Sequence, residues 1–82
     1  MSKSRKISKE NEIKYIQLGL NIAYYRKLIG YTQEELAEEV NLSRFYISTV
    51  EAPNEIKTMS LEVLFDIAKS LRIEPSKLLE FR

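Results

Sequence analysis

The stretch QEELAEEVNLSRFYISTVE, residues 33–51, decides the fold of this chain. Its apolar residues recur at helical spacing on both sides of Asn41, which predicts two short helices with one inward face each. The inward positions are Leu36, Ala37, Val40, Leu42, Ile47 and Val50. Ala37 is small where the helices would cross, and Asn41 tolerates the left-handed backbone that a sharp corner needs. The stretch therefore predicts a helix-turn-helix.

Polar residues stand where the helices should begin. Thr32 with Glu35 three residues later predicts a capping box on the first helix of the motif, and Ser43 is placed to cap the second. Three further helices are predicted: one from about residue 9 or 11 to residue 29, one from a Ser60 cap to residue 71, and one opened by Pro75. The predicted fold class is all-α, a compact five-helix bundle. We expect a basic flexible tail at residues 1–10 and a single domain at residues 11–82.

Composition limits what such a domain can do. The 82 residues suffice for one domain, 44% of them are apolar, and neither cysteine nor histidine occurs. A disulfide is impossible, a zinc site is disfavoured, and the usual general base and thiol nucleophile of enzymes are missing. No apolar run approaches the ~20 residues of a membrane span, and residues 1–10 lack the apolar core of a signal peptide. We expect a cytoplasmic protein that is not an enzyme and uses no cofactor, metal, membrane or small-molecule substrate.

Residues outside the motif extend its pattern. The matching positions are Leu18-Gly19, Ile22, Tyr25-Arg26, Gly30-Tyr31-Thr32, Ser60-Leu61-Glu62, Leu64, Ile67-Ala68-Lys69, Leu71 and Pro75 to Leu79. With the motif they closely resemble the Cro/repressor-type helix-turn-helix family, also called the XRE family, over residues 18–80. The resemblance implies a five-helix, lambda-repressor-like DNA-binding regulator. One departure is the Ala52-Pro53 pair with a longer loop after it, where the family commonly has Arg-Gly, so a basic residue that often faces phosphate is lost.

The third helix is the candidate reader of DNA. Ile47 and Val50 must face the core, which leaves the other side chains of the helix on its outer surface. The base-reading residues that the resemblance implies are Arg44, Phe45, Tyr46 and Thr49. Arg44 can donate two hydrogen bonds to guanine, and Phe45 and the Thr49 methyl can pack on thymine methyls. Phe45 or Tyr46 could instead pack on the surface of the fold, but we expect at least one of them to be exposed.

The resemblance also implies residues that position the reader. Gln33 opens the second helix and would clamp a phosphate at the helix N-terminus, or would simply be a polar residue in a first turn. Further phosphate or positioning residues are expected to be Thr32, Ser43, Ser48 and Lys57. Arg26 and Glu51 resemble a structural ion pair that ties the first helix to the end of the third. The alternative for Glu51 is a solvated carboxylate at the helix end.

Charge is unevenly distributed, although the net charge is only +1. Residues 1–11 carry a balance of +3 and residues 12–31 a balance of +2, whereas residues 32–51 carry five glutamates against Arg44. Phosphate contacts would therefore have to come from helix N-termini, from the basic tail and from Lys57. The tail is expected to be either a solvated terminus or an arm that contacts DNA.

The first helix carries apolar residues on two sides. Leu18, Ile22, Tyr25 and Ile29 match the core face of the family. A second line at helical spacing consists of Ile13, Ile16, Leu20 and Tyr24. The second line is expected to join Leu78, Leu79 and Phe81 in an interface between two copies, or to pack within the chain against the fifth helix.

These observations lead to one interpretation and one alternative. The interpretation is a sequence-specific regulator of transcription, a dimeric repressor whose third helix enters the major groove of a pseudo-palindromic operator in double-stranded DNA. The alternative is an antitoxin-like protein-interaction module whose main partner is another protein. The acidic motif and the second apolar line of the first helix favour that alternative.

Overall fold

The computed structural model describes residues 6–81, and within that range the chain folds into five α-helices without any strand. The helices α1 to α5 are Lys9–Leu28, Gln33–Glu39, Arg44–Glu51, Leu61–Leu71 and Pro75–Leu78. The predicted all-α, five-helix class is confirmed. Of the tail predicted at residues 1–10, residues 1–5 lie outside the described residues, and Lys9 and Glu10 form the start of α1.

Hydroxyl side chains begin four of the helices. Ser8, Thr32, Ser43 and Ser60 each accept a hydrogen bond from the backbone N–H three residues later, over 2.9 to 3.2 Å. Glu35 accepts a bond of 2.8 Å from the Thr32 N–H, which completes the predicted capping box. Each cap contributes about 1 kcal/mol to helix stability. The caps predicted at Thr32, Ser43 and Ser60 are confirmed.

The corner of the motif has the backbone expected from its sequence. Asn41 lies in the left-handed region with φ of 58°, and the next N–H, that of Leu42, donates to the Ala37 carbonyl over 2.9 Å. α2 therefore ends at Glu39, and α3 starts in a new direction at Arg44. Arg72, at the end of α4, also has a left-handed backbone, with φ of 63°. Arginine seldom adopts this conformation, so the residue type did not predict it.

All five helices contribute to one core. Its buried residues are Leu18, Ile22, Leu36, Ala37, Ile47, Val50, Leu64, Ile67, Ala68, Leu71 and Leu78. Leu78 is 0% exposed, so its assignment to an interface between copies is wrong. The physical reason is the short α5, which packs on α1 and α4 and turns Leu78 into the space between them.

Gly19 allows α1 and α3 to approach closely. A Cβ atom at this position would overlap the backbone carbonyl oxygen of Val50 on α3. Glycine in the middle of a helix costs roughly 0.5–1 kcal/mol relative to alanine. Here that cost is offset by contact between the two helix backbones, which places α3 against the core.

Asn21 attaches the C-terminal segment to α1. Its side chain is buried, and its Nδ2 donates to the carbonyls of Leu78 and Glu80, each over 3.0 Å. A buried amide bonded in this way is costly to replace, because its backbone acceptors would lose their partner. α5 therefore folds back on α1. This docking was one part of the expectation that the second apolar line packs within the chain against the fifth helix.

The second apolar line of α1 nevertheless stays in solvent. Ile13, Leu20 and Tyr24 are 62%, 45% and 54% exposed, and Ile16 is half-buried. At about 3.6 residues per turn these positions lie on the side of α1 opposite Leu18 and Ile22. The expectation that this line packs within the chain is therefore wrong, because α5 contacts a different face of α1. Within residues 6–81 every helix is too short or too polar to span a lipid bilayer.

Candidate nucleic-acid interface

The outer face of α3 presents the side chains for which the family resemblance implies base reading. Ile47 and Val50 are buried in the core, whereas Arg44 is exposed and Phe45 is 78% exposed. Arg44 makes no ion pair or hydrogen bond to any residue that the structure describes. The exposed guanidinium can donate to a base edge, and the solvated Phe45 ring beside it can pack on a thymine methyl.

The two hydroxyls on α3 are bonded to their own helix. Thr49 Oγ1 and Ser48 Oγ both donate to the Phe45 carbonyl, over 2.8 Å and 3.0 Å. Since these hydroxyl protons are engaged, Thr49 presents chiefly its methyl group outward and Ser48 only acceptor lone pairs. The structure thus leaves Thr49 suited to an apolar contact rather than to hydrogen-bond donation.

Tyr46 is half-buried at the edge of the same face. The ammonium of Lys57, from the loop between α3 and α4, lies 5.7 Å from the centre of its ring, a cation–π distance. Burial raises the pKa of the Tyr46 phenol above its usual value of 10.0. The phenol therefore keeps its proton at neutral pH and can both donate and accept a hydrogen bond.

A buried network fixes the position of α3. Arg26 of α1 donates from Nε to Glu51 Oε2 over 2.7 Å and from Nη2 to Glu51 Oε1 over 2.9 Å. Its Nη1 donates to the Tyr31 carbonyl over 2.7 Å. Both charged residues are 7% exposed, and the paired geometry supplies the hydrogen bonds that a buried ion pair requires. The structure thus brings together the two residues for which the family resemblance implies an ion pair.

Gln33 belongs to this network. Its Nε2 donates to Glu51 Oε1 over 3.0 Å, so the carboxylate of Glu51 joins α1, α2 and α3. One amide hydrogen and the side-chain oxygen of Gln33 remain available to a further partner. The contact between Gln33 and Glu51 was not predicted, because the two residues are far apart in sequence and the motif spacing does not show which side chains meet.

A hollow separates the start of α2 from the start of α3. It is lined by Arg26, Thr32, Gln33, Glu34 and Arg44. The Thr32 hydroxyl caps α2 and the Ser43 hydroxyl caps α3 by accepting a backbone N–H, so each hydroxyl can still donate its proton to a ligand. The structure therefore places the predicted phosphate residues Thr32, Gln33 and Ser43 at two neighbouring helix N-termini, where backbone N–H groups favour an anion.

The chain matches known proteins over most of its length. The helix-turn-helix family model matches residues 22–78. The restriction-modification controller protein C.AhdI from Aeromonas hydrophila is 31% identical with a TM-score of 0.72, over 78% of this chain and 94% of that one. SinR, a master regulator for biofilm formation whose structure was solved in complex with DNA, is 32% identical with a TM-score of 0.71, over 77% of this chain and 98% of that one.

A structure of the SinR–SinI complex also matches, with 32% identity and a TM-score of 0.70 over 77% of this chain and 60% of that one. Among curated protein sequences, none is a significant match. The family match covers more than half of the residues and includes every element of the motif. The chain therefore belongs to the XRE-type helix-turn-helix family of DNA-binding transcription regulators.

Proposed function

We propose that this regulator is a dimeric repressor that reads a pseudo-palindromic operator with α3 in the major groove. The observation that carries the proposal is Arg44, which has no partner within residues 6–81, beside the exposed Phe45. Both lie on a helix whose opposite face is held by Gly19 and by the network around Glu51. A base-reading helix needs this combination of exposed polar and apolar side chains on a rigid support. SinR, a relative of the same fold, has been solved with DNA, which supports the proposal.

The residues divide by the part of DNA that they would contact. Arg44 would bond to guanine, Phe45 and the Thr49 methyl would pack on thymine methyls, and Tyr46 would reach a base edge. Phosphate contacts would come from Thr32, Gln33, Ser43 and Ser48, and Lys57 would serve either as a phosphate contact or as a positioning residue. Because α2 carries four exposed glutamates, we expect the non-specific, salt-dependent part of the affinity to be modest.

Dimerisation would set the two copies of α3 one turn of DNA apart, about 34 Å. The apolar residues proposed for the interface are the exposed Leu79 and Phe81 near the C-terminus and, on α1, the exposed Ile13, Leu20 and Tyr24 with the half-buried Ile16. Leu61 and Phe65 of α4 are also exposed, at 63% and 49%, and were not anticipated as surface residues. Repression would follow by occlusion, since two bound helices block the access of polymerase to the same site.

One experiment tests reading and symmetry together. The protein is mixed with a pool of random DNA duplexes, the bound fraction is amplified through several rounds, and the enriched sequences are aligned. A palindromic consensus whose half-sites lie one helical turn apart is the expected result. Enrichment of an asymmetric site would contradict the dimer, and failure to enrich any sequence would contradict specific reading.

A second candidate function rests on the exposed apolar line of α1. Ile13, Leu20 and Tyr24 face solvent on a helix whose other side forms the core, a surface that a protein partner could cover. SinR has been solved in complex with the protein SinI, which supports this class of function. Titration of random duplexes at increasing salt separates the candidates, because a DNA reader loses affinity steeply as salt rises and a protein-interaction module shows no such dependence.

A further inference from the structure

Lys57, from the loop between α3 and α4, contacts Tyr46 at the edge of the proposed reading face. Residues 53–58 of this loop are all exposed. The loop begins with a turn, in which the Glu55 N–H donates to the Ala52 carbonyl over 3.1 Å. From this loop Lys57 extends its ammonium to 5.7 Å from the centre of the Tyr46 ring. The contact joins a solvated loop to the third residue of α3.

The Tyr46 side chain has little else to orient its polar end. Its hydroxyl makes no hydrogen bond to any residue within the described range, and its backbone N–H is engaged with the Ser43 cap. The inner part of the ring packs at the margin of the core. A half-buried tyrosine can still swing about its Cα–Cβ bond, and a cation held over the ring face restricts this swing and with it the positions that the hydroxyl reaches.

We propose that Lys57 is a positioning residue for base reading: its ammonium holds the Tyr46 ring, so that the loop between α3 and α4 influences which base the phenol prefers. This inference rests on the proposed function of α3 as the reader. It differs from a phosphate contact by Lys57, because a phosphate contact strengthens binding to every sequence alike. A positioning role changes the preference at the base pair that Tyr46 meets and leaves the other base pairs unaffected.

The contact can be measured before any DNA is added. In proton NMR spectra of the parent protein, the ring current of Tyr46 should shift the side-chain methylene resonances of Lys57 upfield from their positions in an unstructured peptide. Tyr46→Leu keeps an apolar side chain at the margin of the core and removes the aromatic ring, so the shift should disappear. Unshifted Lys57 resonances in the parent protein would overturn the inference.

The role in reading is tested with duplexes selected from a random pool by the parent protein. Lys57→Gln and Tyr46→Leu should reduce preference at the same base pair by about two- to fivefold, and the double variant should reduce it no further. Lys57→Arg should keep the parent preference, because a guanidinium also packs on an aromatic face. Lys27→Gln, which removes an exposed lysine of α1, is the control of equal charge.

The outcomes separate the inference from the proposed function. If the parent protein enriches no sequence, the proposed function fails, while the NMR shift still reports on the contact. If the parent enriches a site and Lys57→Gln weakens all sequences evenly, with a smaller salt dependence, Lys57 is a phosphate contact only and the inference is overturned. A change of preference that Lys57→Gln shares with Lys27→Gln would overturn it as well.

Discussion

Replacement of Glu51 by alanine removes a carboxylate that joins α1, α2 and α3. Arg26 then loses two of its three hydrogen bonds and keeps only the bond to the Tyr31 carbonyl, while Gln33 loses its contact as well. The guanidinium would remain at a site where its side chain is 9% exposed. A buried charge without a counter-ion is the main physical cost of this substitution.

The size of the effect follows from this geometry. Breaking a buried pair from one side costs roughly 3–5 kcal/mol. We expect the lower end, about 3 kcal/mol, because the hollow beside Gln33 admits water to the freed guanidinium. An 82-residue domain has a total stability of roughly 4–12 kcal/mol, so the loss is a large fraction of it.

The measurement is urea unfolding at neutral pH, followed by helical circular dichroism. Glu38→Ala, which removes an exposed glutamate from α2, is the matched control and should change the free energy of unfolding by less than about 0.5 kcal/mol. The double variant Arg26→Met with Glu51→Leu should recover most of the stability, because apolar residues of similar volume replace a buried ion pair well. A loss for Glu51→Ala no larger than that of the control would refute the burial argument.

Three further predictions concern packing, reading and assembly. Gly19→Ala should lower the free energy of unfolding by about 2 kcal/mol or more, because its Cβ overlaps a backbone carbonyl, whereas Gly30→Ala, with φ of 84° and open space around it, should cost about 1 kcal/mol; urea unfolding compares them. Arg44→Ala should lose about 1–3 kcal/mol at one base pair of each half-site, while Gln33→Ala should weaken all sequences evenly; binding to a panel of single-base variants distinguishes these patterns, and unchanged selectivity in Arg44→Ala would remove it as a reader. The parent protein should sediment as the proposed dimer at micromolar concentration and Leu79→Glu as a monomer, and a parent protein that is already monomeric, alone and with DNA, would contradict the dimer.

The helix-turn-helix could be predicted from the sequence because its signals are local. Thr32 with Glu35, and Ser43 alone, mark helix starts through hydrogen bonds that span only three residues. Asn41 marks the corner through its own backbone preference. Such interactions depend on neighbours along the chain, so the residue types and their spacing are sufficient to predict them.

Part of the interface could also be predicted, because helical spacing decides which residues share a face. Ile47 and Val50 lie inward, and this leaves Arg44 and Phe45 outward, as the structure shows. The pairing of Arg26 with Glu51 came from resemblance to a family rather than from spacing. Neither residue type nor separation in sequence determines on its own that a basic and an acidic residue will meet.

Only the tertiary structure decided which apolar residues outside the motif are buried and which are exposed. The sequence shows that Leu78 and Leu20 both belong to apolar faces, but Leu78 is fully buried and Leu20 lies in solvent. The difference depends on where α5 docks, and two hydrogen bonds from the buried Asn21 contribute to that docking. A short helix with apolar residues could pack on either side of α1, so periodicity alone cannot choose between them.

Close contacts between segments that are distant along the chain could likewise not be predicted from the sequence. Gly19 gives a partial signal, since a glycine within a helix is unfavourable and suggests a close approach, but the signal does not name Val50 as the neighbour. Gln33 and Glu51 each carry several possible hydrogen bonds, and their contact exists because three helices converge on one carboxylate. Sequence by itself determined the helices, the caps at Thr32, Ser43 and Ser60, and the outward face of α3, because those follow from local hydrogen bonding and helical period. Only the tertiary structure decided which side chains support that face, because convergence in space depends on the packing of the whole chain.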